Sequence, residues 1–289
     1  MKEIKGTGIA LVTPFNEDLS VDYTGLERLL NHVINKVDYL VLMGTTAESV
    51  VLTKKEKQEV VDFCKSFNSG KLPIVLGIGG NNTSQLVSEI QEIDKEGITA
   101  ILSVSPYYNK PIQDGIYLHY KLIAEMSSLP IIIYNVPSRT GSNITAETTL
   151  RLASDFDNIV GIKEASGDLE QVMQIINNKP KNFVVISGDD SLTLPILYLG
   201  GEGVISVIAQ SHPKEYTAMV HNARLGDIEK ANRLHYQLYN YYQPLYKEGN
   251  PTGIKACLEL LGICNSYVRP PLVQASSRVK QSLISLLEI

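Results

Sequence analysis

The sequence predicts an α/β fold, a (β/α)₈ TIM barrel with a C-terminal helical extension, and three observations predict it. Eight short apolar runs, rich in Ile and Val, recur roughly 20 to 35 residues apart with amphipathic segments between them. Such alternation is the pattern of parallel strands covered on both faces, and eight units fit the barrel's usual size of about 250 residues. No G-x-G-x-x-G fingerprint follows the first run, which disfavours the competing doubly wound sheet.

The first strand is Gly8 to Thr13, and a helix over Asp22 to Lys36 carries Leu26, Leu29, Leu30, Val33 and Ile34 on one face. Tyr39 to Met43 is the second strand; its helix begins at a capping box, Thr53 with Glu56 three residues on, and runs toward Phe67. Ile74 to Ile78 is the third, with a helix from Thr83 closed by Gly97 at its C′ position. Strand and helix then alternate through Ala100–Val104, Ile116–Met126, Ile131–Tyr134, Ala146–Ala153, Ile159–Lys163, Leu169–Ile176 and Phe183–Ser187. A short helix through Ile196 and Leu199 leads to the eighth strand, Val204 to Val207. From Pro213 the chain is helical and tyrosine-rich, breaks at Gly249 to Pro251, and gives two more helices, one ending at Gly262 and one starting near Ser276. The expected division is a catalytic barrel over residues 1–224 and a helical domain over 225–289.

Composition limits the function classes. Of 289 residues 44% are hydrophobic and 20% charged, ordinary globular usage, and the net charge of −5 supplies no field for nucleic acid or an anionic membrane. No apolar run approaches the roughly 20 residues that span a bilayer, and no basic-then-apolar leader opens the chain. Cys64, Cys257 and Cys264, an odd set without metal-ligand spacing, read as reduced core thiols of a cytoplasmic protein.

Barrel enzymes place their chemistry at the C-terminal ends of the strands. There this chain carries Gly44-Thr45-Thr46-Ala47-Glu48-Ser49, Gly79-Gly80-Asn81, Ser105-Pro106-Tyr107-Tyr108, Tyr134-Asn135-Val136-Pro137-Ser138-Arg139, Lys163-Glu164 and Ser187-Gly188-Asp189-Asp190. Lys163 ends an apolar run, where an ammonium is costly to desolvate; it either reaches solvent or Glu164, or is an amine that attacks a carbonyl carbon. His32, His119, His212, His221 and His235 fall in helical segments or after the last strand and read as surface or interface residues. Metal-assisted carbonyl chemistry therefore lacks its usual ligands, and the strand ends hold no Ser-His-Asp or Cys-His set. The best remaining candidate is an imine mechanism on Lys163, in which Tyr134, Tyr108 and Thr45 could serve as uncharged proton relays; the bland reading of each tyrosine is an amphipathic residue at the core edge. The Gly44-Thr45-Thr46 turn can hold a carboxylate on backbone N–H groups, or be merely a tight connection. Arg139 offers a fork for a second carboxylate, or a surface ion pair. Asp189 and Asp190 read as caps of the next helix rather than an acid/base pair.

Taken together, GTTAES (44–49), SPYYNKP (105–111), YNVPSRTG (134–141), GIKEASG (161–167), SGDD (187–190) and GGEGVISV (200–207) resemble the pyruvate-dependent class I aldolases, and within that family the dihydrodipicolinate synthase branch. The resemblance implies a Schiff base between Lys163 and pyruvate, Tyr134 facing it, and Thr45 and Tyr108 completing a proton relay, with Tyr108 crossing a tight dimer interface. It further implies that Thr46 and the Ile205 carbonyl hold pyruvate beside Gly188, and that Arg139 binds the carboxylate of L-aspartate 4-semialdehyde. The product would be 4-hydroxy-tetrahydrodipicolinate, on the route to lysine and diaminopimelate, with no cofactor beyond the covalent pyruvate and a homotetramer built as a dimer of dimers. Ala47 departs from the family's usual glycine and would strain the turn if its φ were positive. Lys54, Lys57 and Gln85 replace residues common in lysine-inhibited members, while Asn81 and Tyr107 are kept, so lysine feedback is expected to be weak or absent. A sister aldolase acting on N-acetylneuraminate or a keto-deoxy sugar acid, and a non-catalytic binding relative, remain as alternatives.

Overall fold

Eight strands, β1 (Gly6–Ala10), β2 (Tyr39–Leu42), β3 (Ile74–Gly77), β4 (Ala100–Val104), β5 (Ile131–Asn135), β6 (Ile159–Glu164), β7 (Val184–Ser187) and β8 (Gly203–Ser206), pair in sequence order, all parallel, and β8 closes on β1. The computed structural model describes residues 4–288. Around the barrel run α1 (Tyr23–Val33), α2 (Lys54–Asn68), α3 (Thr83–Glu92), α4 (Gln113–Met126), α5 (Pro137–Thr140), α6 (Ala146–Asp155), α7 (Leu169–Asn178) and α8 (Thr193–Tyr198). Four more, α9 (Pro213–Leu225), α10 (Ile228–Tyr246), α11 (Thr252–Leu260) and α12 (Ser277–Leu287), follow β8.

Strand alternation divides the apolar residues into two clusters. Ala10, Tyr39, Val41, Val75, Leu102, Ile132, Tyr134, Ile186 and Ile205 fill the barrel interior, and the opposite faces of the same strands pack on the helices. Gly8 is a glycine of necessity: a Cβ there would lie 2.1 Å from the Tyr39 ring, whose hydroxyl donates to Val204 O at 3.0 Å across the barrel. The outer cluster joins Val12 and Phe15 to Leu238, Ile254 and Leu258, so the last helices share the barrel's outer core.

The strand and helix order follows the sequence pattern, and the differences have local causes. β1 begins at Gly6, because Gly6 and Thr7 pair with Gly203 and Val204; Val12 leaves the ladder to donate its N–H to Gln210 Oε1 at 2.9 Å. α3 stops at Glu92, and Gly97 (φ +71°) serves the following turn rather than the helix end, since Ile93 is already extended. The capping box forms as expected: Thr53 Oγ1 accepts from the Glu56 N–H at 3.2 Å and Glu56 Oε2 accepts from the Thr53 N–H at 2.8 Å. α5 was not foreseen; it is a single turn begun by Pro137 and closed by Gly141 in a left-handed conformation.

Candidate active site

Lys163 lies on the interior face of β6, 7% exposed, and its register partner on β5 is Tyr134. The amine sits 4.2 Å from the centre of the Tyr134 ring. Glu164, one residue on, faces the opposite side by the two-residue period of a strand. Its carboxylate accepts from Asn135 Nδ2 at 3.1 Å, the Ser166 N–H at 2.7 Å and Gln171 Nε2 at 2.9 Å, and burial pushes its pKa up. Glu164 therefore ties β6 to β5 and α7 and does not pair with Lys163.

The lysine opens into a cleft of about 550 Å³ whose lining includes Thr45, Thr46, Tyr134, Arg139 and Gly188. Gly188 packs on the lysine stem: a Cβ there would stand 2.7 Å from Ala165 Cβ and 3.0 Å from Lys163 Cε. Arg139, on α5, is exposed at the rim, with Nη2 3.5 Å from Asn250 O. Thr45 to Ala47 form a short 3₁₀ turn, and the left-handed residue is Glu48 (φ +54°), one position after Ala47. Ala47 accordingly fits without strain, and Thr13 Oγ1 donates to its carbonyl at 2.8 Å.

Two sequence-predicted residues are not among those that line this cleft within one chain. Ile205, 1% exposed, is in the interior cluster and is not among the lining residues. Tyr108 is 88% exposed with φ +74°, a conformation costly for a bulky residue, and does not line the cleft of its own chain. A second cavity of about 420 Å³ shares Thr45, Tyr134 and Arg139 with the cleft and extends past Tyr107 to Lys54 and Lys57; Lys54 pairs with Glu92 at 3.0 Å.

The two aspartates after β7 are structural. Neither is the helix cap expected from the sequence: the N-cap position of α8 is Leu192, without a side-chain cap, and Asp189 Oδ1 instead closes a turn ahead of the helix by accepting from the N–H groups of Ser191 (2.9 Å) and Leu192 (3.2 Å). Asp190 is buried and accepts from the N–H groups of Val207 (3.1 Å) and Ile208 (2.9 Å) and from the Tyr246 hydroxyl (2.6 Å). Desolvation raises its pKa, but its lone pairs are committed to bonds that fix the end of β8.

Sequence reasoning missed the contribution of the last helices. Tyr239, Tyr242, Gln243, Tyr246 and Asn250 form one wall of the cleft, and Asn250 Nδ2 donates to Thr46 Oγ1 at 2.8 Å. It also missed a buried ion pair beneath the Thr45–Thr46 turn, Lys255 Nζ to Glu48 Oε1 at 2.6 Å. The signal available for the pair was a lysine inside the apolar helix TGIKACLEL. The reading of all five histidines as surface or interface residues is corrected for His119 and His235, which are buried. His119 packs edge-on to Tyr120 with Nδ1 2.8 Å from Thr83 Oγ1, and burial lowers its pKa to about 4.

Other nucleophiles are disfavoured by their surroundings. The three cysteines are free and buried, and desolvation pushes Cys64 and Cys264 up to about 12 and Cys257 to about 11, so their thiols stay protonated. Among the described residues no group of three or more His, Cys, Asp or Glu side chains is placed to hold a metal ion. The arrangement suits an amine nucleophile walled by hydroxyls, with hydrogen-bond donors for anions on two sides.

Known proteins carry the same architecture. The chain is 50% identical over 284 residues to the 4-hydroxy-tetrahydrodipicolinate synthase of Flavobacterium psychrophilum, covering 98% of this chain and 97% of that one. Its fold superposes on dihydrodipicolinate synthase from Thermotoga maritima with a TM-score of 0.96 at 36% identity, covering 99% and 98% of the two chains. A dihydrodipicolinate synthase variant described as monomeric gives 0.95 at 37% identity, covering 98% and 96%. With the Dihydrodipicolinate synthetase family model matching residues 3–289 as well, the chain belongs to that family.

Proposed function

We propose that this enzyme condenses pyruvate with L-aspartate 4-semialdehyde through a Schiff base on Lys163, giving 4-hydroxy-tetrahydrodipicolinate for lysine and diaminopimelate synthesis. The observation that carries the reading is a nearly buried amine on β6, free of its neighbouring carboxylate and facing Tyr134 in a cleft ringed by hydroxyls.

The Lys163 nitrogen attacks the ketone carbon of pyruvate, and loss of water leaves a protonated imine. That imine draws electrons from the adjacent methyl, which gives up a proton to become an enamine. The enamine carbon bonds to the aldehyde carbon of the second substrate, whose oxygen takes up a proton and becomes the 4-hydroxyl. The amino group of that substrate then attacks the imine carbon, closes the ring and releases Lys163 as a free amine. Tyr134 and Thr45 line the cleft where protons must move, and an uncharged hydroxyl can both donate and accept.

Thr46 and the turn N–H groups hold the pyruvate carboxylate beside Gly188; Ile205, whose side chain packs in the barrel interior, would reach it only through its backbone carbonyl, and Arg139 at the rim takes the carboxylate of the semialdehyde. Tyr108, exposed on its own chain, serves the relay in a neighbouring copy, which requires a dimer; a dimer of dimers is the proposed assembly. No cofactor enters, because the covalent pyruvate is its own electron sink. The reading includes a catalytic barrel over 1–224, a helical domain over 225–289, a cytoplasmic location, and weak or absent inhibition by lysine, whose feedback site would lie near Tyr107. Among the described residues no helix is long and apolar enough to cross a membrane.

A steady-state comparison of aspartate semialdehyde with pyruvate, N-acetylneuraminate and keto-deoxygluconate tests the substrate assignment. Turnover is expected only with the first pair; faster cleavage of either sugar acid would replace the synthase by a sister aldolase. Inhibition by sub-millimolar L-lysine in the same assay would overturn the feedback reading.

A further inference from the structure

The Gly44–Ser49 turn is held by Thr13, in the segment that follows β1, and from beyond the barrel by residues 250–269. Asn250 Nδ2 donates to Thr46 Oγ1 at 2.8 Å. Lys255 Nζ donates to Glu48 Oε1 at 2.6 Å, and the Arg269 N–H donates to Glu48 Oε2 at 3.0 Å. Lys255 is fully buried; its other partners are the Tyr267 carbonyl at 2.8 Å and the Phe15 ring at 4.1 Å. Both Glu48 oxygens are thus committed to the C-terminal segment, and they anchor the one left-handed residue of the turn. A residue with a Cβ keeps that conformation only where its surroundings over-determine it.

A threonine hydroxyl has one proton and two lone pairs. With the Asn250 amide on a lone pair, the Thr46 proton is left for a ligand in the cleft that both residues line. We infer that Asn250 and the Glu48–Lys255 pair are positioning residues for the carboxylate of the first substrate. Asn250 directs the Thr46 hydroxyl proton, and the ion pair fixes the register of the turn that presents it. The helices after the barrel thereby act on the chemistry through Thr46 without touching the reacting carbon. This inference rests on the pyruvate reading above.

Pyruvate adducts trapped with borohydride over a range of pyruvate concentrations give the half-saturating concentration for each variant. Asn250→Ala is expected to raise it about 3- to 10-fold, the loss of one ordering hydrogen bond. Asn250→Asp raises it further, because its carboxylate takes the Thr46 proton for itself. The Glu48→Gln/Lys255→Met double variant shifts it in the same direction. In all three the adduct still maps to Lys163 at saturating pyruvate. A purely structural role would lower the melting temperature and leave half-saturation alone, so folded Asn250→Ala with the wild-type value overturns the inference. Asn250 is only partly buried, so its variants remain informative where the double variant fails to fold. Wild-type protein that forms no adduct at all overturns the inference together with the pyruvate reading.

Discussion

Replacing Gly188 by alanine adds one methyl group where the cleft has no room for it. Its Cβ would lie 2.7 Å from Ala165 Cβ, 3.0 Å from Lys163 Cε and 3.1 Å from Lys163 Cγ, against an ordinary contact near 4 Å. About 1 Å must therefore be recovered. The two backbones cannot readily part, because the Gly188 N–H is bonded to Glu164 O at 2.7 Å and the Ala165 N–H to Asn135 O at 2.9 Å. The flexible group is the Lys163 stem. Overpacking of this kind costs about 1–3 kcal/mol of stability. A displacement of about 1 Å of the nucleophile costs on the order of 100-fold in rate. Backbone strain is not involved, since φ at Gly188 is not positive. Rapid-quench borohydride trapping measures the rate of imine formation, and thermal melting measures the stability cost. The expected result is a rate loss near 100-fold in protein that still melts cooperatively, a few degrees lower. Wild-type imine kinetics in Gly188→Ala would refute the idea that Gly188 exists to seat Lys163.

Two further outcomes follow from buried charge. Lys255→Met leaves Glu48 buried without its cation and is expected to cost about 3–5 kcal/mol, whereas Glu48→Gln/Lys255→Met recovers most of that; urea titrations of both variants measure it, and equal losses would contradict the pairing. His119 has its pKa lowered to about 4 from 6.5 by burial, so the unfolded chain binds its proton first as pH falls. Its contribution is complete above pH 6.5 and is lost as pH falls toward 4, by about 2 kcal/mol between pH 6.5 and 5. Urea midpoints of His119→Phe should show a shallower loss than wild type over that range, and parallel curves would remove His119 from the account.

The barrel was legible because its information is local. Each strand is a short apolar run and each helix has a cap or a face, as in the Thr53–Glu56 box, so period and punctuation suffice. The strand-end residues were legible for the same reason, since barrel topology gathers those ends on one rim. What the sequence hid depends on contacts between distant segments: Asn250 to Thr46, Lys255 to Glu48 and Tyr246 to Asp190 span separations of 204, 207 and 56 residues and leave no periodic trace. Lys163 and Lys255 pose one question at the level of sequence, a lysine in an apolar run. The structure answers it oppositely, with Lys255 neutralised by Glu48 and Lys163 left facing a cleft. Ala47 shows the limit of residue-by-residue comparison, because the left-handed position is Glu48 and alanine meets no strain.

The central claim, that Lys163 is the imine-forming nucleophile, is tested most directly by reducing the protein with borohydride in the presence of pyruvate and mapping the modified peptide. The account predicts one pyruvate-sized adduct per chain, on Lys163, and none in Lys163→Ala. A folded wild-type protein with no adduct, or with the adduct on another lysine, would contradict it.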